Sequence, residues 1–293
     1  MRWHMRPFAP AADRECVESL WRAAMPRAWP LLADGIARLS EGLIVEAGTG
    51  LVGFVALDRA GSIPLILVAP AYQRRGIGTA LLAAALNHLR GGGTTGVTAG
   101  SGGRRYIWPG VPLNLPGAVQ FFTAHRWQRS YDTLDLVTDL RRYRPPQGAH
   151  EHAASKGVTI AQPASADLAG VLAFETATFP SWSRWFAVAS PPGILAARDG
   201  AGHIAGTLLL DGPGADTVFT PILGPAVATI GCVGVAAPRQ REGIGTALVV
   251  RASEILREAG ARNCHIGWAS RESFYRHAGY QPWRRYAMFH SPA

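Results

Sequence analysis

Residues 231–257 read GCVGVAAPRQREGIGTALVVRASEILR, and this stretch decides how the rest of the chain is interpreted. A β-branched apolar run ends at Val235, a proline-containing turn follows, and Leu248, Ala252 and Ile255 then recur at helical spacing. The pattern predicts a strand, a tight turn and a helix. The two turn glycines let a ligand approach the backbone closely, and the free N–H groups of the first helical turn would face it with the positive end of the helix dipole. The stretch therefore predicts an anion site, most naturally for phosphate.

The same stretch occurs twice. QRRGIGTAL at residues 73–81 returns almost unchanged as QREGIGTAL at residues 240–248. A repeat with so long a period indicates a duplicated domain, and 293 residues suffice for two domains that each bury a core. Residues 143–156 are polar, proline-marked and without periodicity, which is typical of a solvated linker. The sequence therefore predicts an N-terminal domain over residues 1–142 and a C-terminal domain over residues 157–293.

The glycine turn carries a family resemblance. A Rossmann domain is disfavoured, because the third glycine of its fingerprint is replaced by Leu248 and no opening βαβ unit surrounds the turn. The string Gln-x-x-Gly-x-Gly after a strand resembles motif A of the GCN5-related N-acetyltransferases (GNAT), in which this turn holds the pyrophosphate of acetyl-coenzyme A. The order of predicted elements in both halves is also similar to that family. The resemblance implies an α/β fold with a mixed (α+β) sheet, as two tandem GNAT-like acyl-CoA N-acyltransferase domains.

The resemblance implies acetyl-coenzyme A as co-substrate, no metal, and a set of cofactor-binding residues in each domain. In the family, the strand before the turn separates from its neighbour and offers backbone groups to the amide arm of the cofactor. In the C-terminal domain the matching positions are Val233, Val235, Gln240, Arg241, Gly243, Ile244, Gly245 and Thr246. In the N-terminal domain they are Gln73, Arg74, Gly76, Ile77, Gly78 and Thr79.

The family also implies the catalytic chemistry. A primary amine attacks the thioester directly, and a tyrosine in the short helix after the fifth strand protonates the departing thiolate in many members. The sequence SFYRHAGY at residues 273–280 resembles that helix, which makes Tyr275 the candidate general acid. Its ordinary pKa of about 10 keeps the hydroxyl protonated at neutral pH. The matching segment AVQFF at residues 118–122 has no hydroxyl. We therefore expect the C-terminal domain to be catalytic, and the N-terminal one to be degenerate, as a scaffold or a second coenzyme A site.

The sequence does not identify a single general base. Many relatives carry a glutamate on the central strand, but Thr229 stands at that position here. A water chain is one alternative, and Glu175 or Asp211 from elsewhere in the domain is another. His265 and His277 are further candidates, although a lone histidine on a strand or a short helix is more often structural.

Aromatic residues suggest an acceptor pocket. Trp268 stands where many family members place an asparagine, and it could line the pocket together with an aromatic wall of Trp182, Trp185, Phe186 and Tyr280. Such a wall suits a sugar ring or a cationic amine, although the same residues could be ordinary core aromatics. The leading hypothesis is N-acetylation of a small-molecule amine: an amino sugar, an aminoglycoside-like antibiotic or an amino acid. The alternatives are a non-catalytic acyl-CoA binding or sensing protein, and an acetyltransferase acting on a protein or tRNA.

Composition narrows these classes. The net charge is +9, but the arginines are scattered and no long basic run occurs, so nucleic-acid binding is disfavoured and the charge suits a polyanionic cofactor. Three widely spaced cysteines fit a reducing cytoplasm. His150 and His152 lack partners for a metal site. No signal peptide or membrane span is indicated, and we expect a cytoplasmic monomer with pseudo-dimeric domains or a homodimer.

Overall fold

The structure is a computed structural model that describes residues 2–48, 50–100 and 106–292. The elements of the first half are β1 (His4–Pro7), α1 (Pro10–Ala24), β2 (Glu41–Ala47), β3 (Gly50–Asp58), β4 (Ser62–Val68), α2 (Ile77–Gly91), β5 (Thr98–Ala99), β6 (Val111–Pro112), α3 (Pro116–Ala124) and β7 (Gln128–Asp139). Those of the second half are α4 (Ala149–Ser155), β8 (Thr159–Ala161), α5 (Leu168–Thr178), α6 (Ser183–Phe186), β9 (Ile194–Arg198), β10 (Ile204–Asp211), α7 (Thr220–Leu223), β11 (Val227–Val235), α8 (Ile244–Glu258), β12 (Asn263–Ala269), α9 (Glu272–His277) and β13 (Gln281–His290).

Two compact units repeat one architecture. In the first unit the strands run in the order β1, β2, β3, β4, β5, and in the second β8, β9, β10, β11, β12. The pairs are antiparallel except β4 with β5 and β11 with β12, which are parallel. A parallel pair needs a crossover, and helices α2 and α8 supply it. The predicted mixed α/β fold is confirmed.

Each crossover helix buries one face against the sheet of its own unit. Leu248, Ala252 and Leu256 of α8 lie on one stripe and are buried. Leu81 and Leu89 of α2 are buried in the same way in the first unit. Burying a leucine side chain fully contributes about 1.5–3 kcal/mol, so these faces hold each helix, and with it the preceding turn, in place.

The last strand of each unit comes from a part of the sequence that the predicted domain boundaries assign to the other unit. The second unit begins at Leu134, so the end of β7 belongs to it and pairs with β12, Leu136 opposite Ile266. Residues from Arg285 onward belong to the first unit, where β13 pairs with β5 and Phe289 lies opposite Ala99. These compact units differ from the boundaries expected near residues 142 and 157. The alternation of a strand predicts which face is buried but not which neighbour it pairs with.

The segment expected to be a linker is folded. It contains α4, whose His150 Nε2 lies 3.0 Å from a carboxylate oxygen of Glu254 on α8. The Tyr143 hydroxyl donates to the Ala278 carbonyl at 2.9 Å, and Ala153 is buried. The segment predicted to be a solvated linker is thus mostly exposed, but it contains a short helix and two buried side chains. Its apolar contacts are too few to produce a visible periodicity. Across the described ranges, no helix has the length and apolar composition of a membrane span.

Candidate functional site

The two glycine turns have the same backbone conformation. Arg241 and Gly243 adopt positive φ angles of 68° and 76°, and Arg74 and Gly76 adopt 59° and 82°. Such left-handed angles favour glycine, which explains Gly243 and Gly76 at the start of the helices. In both copies the glutamine side chain is used locally. Gln240 Nε2 donates to the Val235 carbonyl at 3.1 Å, as Gln73 does to Val68 at 3.0 Å. The side-chain amide therefore shapes the turn, which sequence reasoning missed.

The turn of the second unit presents free backbone donors. The first helical hydrogen bond of α8 runs from the Ala247 N–H to the Gly243 carbonyl at 3.0 Å. The N–H groups of Ile244, Gly245 and Thr246 precede it and have no acceptor within the helix. The helix dipole adds positive potential at the same place. A phosphate fits this donor set.

One glycine of each turn lies against a phenylalanine. A Cβ placed on Gly245 would come within 3.2 Å of the Phe274 ring, and one placed on Gly78 within 3.2 Å of the Phe121 ring. The two contacts identify Phe121 with Phe274, and hence Phe122 with Tyr275. The copies differ at the other glycine: the His152 ring of α4 contacts Gly243, whereas no described atom comes within 4 Å of a Cβ on Gly76.

Strand β11 separates from β12 in front of the turn. The ladder between the two strands ends at Ile230 opposite Ile266. Just beyond it, Cys232 has a φ of 50°, and the register with β10 shifts between Gly231 and Gly234. This is a β-bulge, in which Cys232 and Val233 together stand opposite Leu208 of β10. The predicted cofactor position Val233 lies within the bulge, whereas Val235 pairs with Gly206 of β10. Sequence reasoning missed this bulge, because Cys232 lies within an apolar run that predicts a regular strand.

The matching strand of the first unit is irregular at a different place, because its register with β3 shifts between Ala56 and Asp58, ahead of the residues that correspond to the bulge in β11. Strand β4 pairs with β3 without interruption from Leu65 to Val68. The gap beside it is occupied, because the buried Trp108 donates its indole N–H to the Pro64 carbonyl at 2.9 Å. Trp108 also stacks on Trp21 with ring centres 5.5 Å apart. The first unit thus keeps the turn but fills the space in front of it.

Tyr275 lies on α9, next to Phe274, and is half-buried. Burial raises the pKa of Tyr275 well above its ordinary value, and the nearby Cys232 thiol raises it further. No residue in the described ranges forms a hydrogen bond with its hydroxyl. The group therefore stays protonated at neutral pH and is available as a donor. A groove of about 620 Å³ is lined by residues 270–274 and 276, the immediate sequence neighbours of Tyr275.

The candidate bases occupy different environments. Glu175 on α5 is fully buried, and burial raises its pKa from 4.5 to about 7, although a hydrogen bond from Thr207 opposes the shift. Asp211 accepts a hydrogen bond from the Thr229 hydroxyl at 3.2 Å. His265 is buried with its Nε2 3.3 Å from Asp135, and His277 is exposed. Among the candidate carboxyls, Glu175 is the one whose pKa burial raises toward neutrality.

The aromatic wall is only partly assembled. Trp182, Trp185 and Cys232 each pack against one buried cluster that includes Phe186. Tyr280 is not part of this group: it is fully buried below α8, where its hydroxyl lies 2.7 Å from Ser253 Oγ. That expectation is therefore corrected for Tyr280. Trp268 is 37% exposed, outside the cluster, and its backbone N–H donates to Asp135 at 3.0 Å. In the part of the chain that the structure describes, no three His, Cys, Asp or Glu side chains could together hold a metal ion.

Two family models match separate parts of the chain. Residues 39–125 match the family model described as acetyltransferase (GNAT) domain, and residues 165–280 match the acetyltransferase (GNAT) family model. No curated protein sequence gives a significant match.

Solved structures resemble the chain along its length. A GCN5-related glucosamine N-acetyltransferase region of a fungal multi-domain GH3 β-N-acetylglucosaminidase superposes with a TM-score of 0.89 at 26% identity, covering 99% of this chain and 38% of that one. A GCN5-related N-acetyltransferase from Sphaerobacter thermophilus gives 0.69 at 20% identity, covering 99% and 95%. A tandem GNAT protein from the clavulanic acid biosynthesis pathway gives 0.63 at 21% identity and covers both chains fully. This chain thus spans well under half the length of the fungal protein.

Proposed function

The chain is a tandem member of the GCN5-related N-acetyltransferase family, and on that premise we propose that its second unit transfers the acetyl group of acetyl-coenzyme A to the primary amine of a small molecule. The observation that carries this proposal is the bulge at Cys232, which opens β11 between the free helix N-terminus of α8 and the Tyr275 helix. All three features belong to one compact unit. The first unit repeats only the turn.

The residues of the second unit fit the cofactor. The N–H groups of Ile244, Gly245 and Thr246 would hold the phosphates, and Arg241 adds a positive charge to the turn. The backbone of Val233 and Val235 would hold the amide arm. Bound acetyl-coenzyme A supplies an acetyl group activated as a thioester. The protein residues then orient that group, exclude water and manage the two protons of the reaction.

Tyr275 would protonate the thiolate that leaves. Because its pKa is raised, the phenol carries a proton over the physiological range and can donate it to the sulfur as the carbon–sulfur bond breaks, after which Tyr275 regains a proton from solvent. Phe122 stands at the matching place of the first unit and has no proton to give. Together with the indole of Trp108 beside β4, this supports a scaffold role for the first unit.

Amino sugars are the acceptors that we propose first. The fungal region with the TM-score of 0.89 acts on glucosamine, and its 26% identity extends over 99% of this chain. The indoles of Trp182 and Trp185 pack against the same buried cluster as Cys232 of the bulge, and indoles are the side chains against which sugar rings and ammonium groups pack. Aminoglycoside-like amines and amino acids follow as further classes.

Thiol release tests the proposal. Acetyl-coenzyme A is mixed with glucosamine and with a panel of other primary amines, and free thiol is followed over time. We expect turnover, with kcat reduced about 10²-fold or more in Tyr275→Phe and binding of acetyl-coenzyme A retained. Tyr131→Phe, which removes an exposed hydroxyl, is the matched control. Binding of acetyl-coenzyme A without turnover of any amine would favour the acyl-CoA sensor instead.

A further inference from the structure

A buried carboxyl in the second unit has an unused oxygen. Glu175 on α5 has no exposed surface, and its Oε1 accepts a hydrogen bond from the Thr207 hydroxyl. Its Oε2 is also buried, and no group in the described ranges hydrogen-bonds to it. Leaving such an atom unsatisfied destabilises the folded protein, which argues for a role other than stability.

This carboxyl lies against the strand that opens at the bulge. Thr207, its hydrogen-bond partner on β10, stands directly opposite Gly234 of β11. Phe179 follows Glu175 by one helical turn, and its ring comes within 2.5 Å of where a Cβ of Gly234 would lie. Gly234 follows the two bulged residues, Cys232 and Val233, and is the first residue of β11 that pairs again with β10. Glu175 and Phe179 therefore cover the same part of β11 that would hold the acetyl end of the cofactor.

The first unit shows that the fold does not need a carboxyl here. Counting from the proline that follows each helix, Pro26 and Pro180, the place of Glu175 is taken by Trp21. Trp21 is 1% exposed and lies in an apolar cluster with Trp108.

The partner of the carboxyl is replaced as well. Gly53 and Gly206 correspond, because each faces its own crossover helix at Leu81 and Leu248, which are equivalent residues of the repeated nonapeptide. The residue after each glycine is Phe54 in the first unit and Thr207 in the second, and both are fully buried. The same architecture thus holds an apolar pair in the unit without Tyr275's hydroxyl, and a hydrogen-bonded carboxyl in the unit with it.

We propose that Glu175 accepts the proton that the acceptor amine loses, with Thr207 holding the carboxyl in place. The proposal rests on the acetyl transfer assigned to this unit. The nitrogen of the neutral amine forms a bond to the acetyl carbon as the carbon–sulfur bond breaks, one N–H proton moves to Glu175 Oε2, and Tyr275 gives its proton to the sulfur. Glu175 then releases its proton to solvent and Tyr275 regains one. The sum is amine plus thioester giving amide plus thiol.

Few other ionisable groups act on this carboxyl. Burial and the Thr207 hydrogen bond set its pKa. On the elements packed against α5, Asp211 of β10 accepts a hydrogen bond from Thr229, and Arg184 of α6 lies over the Trp185 ring. Asp167 lies at the start of α5, where it accepts a hydrogen bond from the Ala164 N–H. Because the acceptor amine also titrates, the pH profile of each variant is compared with that of wild type for the same amine, so that a difference between the two profiles reports on Glu175.

The test is the pH dependence of kcat/KM, measured with the best acceptor amine at saturating acetyl-coenzyme A. We expect the wild-type rate to rise through an apparent pKa near 7, and Glu175→Gln to lose that rise together with about 10²- to 10⁴-fold in kcat/KM. In wild type the hydrogen bond from Thr207 lowers the pKa of the carboxyl. Thr207→Val removes this bond, so the pKa should increase and the rise in rate should move to higher pH. Thr176→Val, which removes an exposed threonine hydroxyl on the same helix as Glu175, is the control and should leave the profile in place.

The outcomes separate this proposal from the function on which it rests. A wild-type protein that binds acetyl-coenzyme A but acetylates no amine would contradict the function. Active wild type with an unchanged profile in Glu175→Gln, or an unmoved rise in Thr207→Val, would overturn the role of Glu175 alone. Calorimetric binding of acetyl-coenzyme A to both variants shows that their sites are intact.

Discussion

Replacing Glu175 by glutamine should change how the stability of the protein depends on pH. Burial raises the pKa of this carboxyl from 4.5 to about 7. Above pH 4.5 the unfolded chain therefore ionises the group while the folded chain keeps its proton, so the free energy of unfolding falls as the pH rises toward 7. One pKa unit corresponds to about 1.4 kcal/mol, so the full loss is roughly 3 kcal/mol, of which about 2.5 kcal/mol accrues between pH 5 and pH 8. Glutamine does not titrate and escapes this loss.

Urea unfolding, followed by tryptophan fluorescence, measures this difference. Wild type and Glu175→Gln are unfolded at pH 5 and at pH 8, and the change between the two pH values is compared for each protein. Between pH 5 and pH 8, the free energy of unfolding of the variant should increase by about 2.5 kcal/mol relative to that of wild type. Glu258→Gln, which removes an exposed carboxyl of the same unit, controls for the loss of one negative charge. If wild type and Glu175→Gln respond to pH in parallel, within about 0.5 kcal/mol, then the carboxyl is not desolvated as argued.

Two further substitutions test the assignment of aromatic residues. Trp108→Ala should lower the free energy of unfolding by about 3–5 kcal/mol in urea, because it empties a buried site and removes the hydrogen bond to Pro64, while calorimetry should find the affinity for acetyl-coenzyme A unchanged. A weaker affinity would place Trp108 in a working cofactor site. Tyr280→Phe should cost about 1–3 kcal/mol, since it leaves Ser253 with one buried hydrogen bond fewer, and should leave the KM for the amine unchanged. A raised KM would return Tyr280 to the acceptor pocket.

The repeated stretch was predictable because its signals are local. The sequence predicts a strand over residues 227–235, and β11 has those bounds. The predicted helix over residues 245–259 is α8, which runs from Ile244 to Glu258. Apolar periodicity, the proline turn and the glycines act within a few residues of one another, so no tertiary information is needed. The same holds for the turn itself, where glycine is required by the positive φ of Gly243.

The remaining features depend on contacts between distant residues. The pairing of β7 with β12 has no sequence signal, because any alternating strand could fill that place. Glu175 was one of several possible bases in the sequence. Only its burial beside Thr207 and its correspondence with Trp21 distinguish it from Asp211. The bulge at Cys232 was hidden because a cysteine between apolar residues usually indicates a regular buried strand.

The central claim is that the chain has one working cofactor site, in its second unit. Calorimetric titration with acetyl-coenzyme A tests it most directly, on the wild-type protein and on Gly78→Val and Gly245→Val. The two glycines make a matched pair, since an added side chain meets a phenylalanine ring at 3.2 Å in both. We predict one molecule bound per chain in wild type and in Gly78→Val, and no binding in Gly245→Val. Two molecules per chain, binding lost with Gly78→Val, or no heat from the wild-type protein would contradict the account.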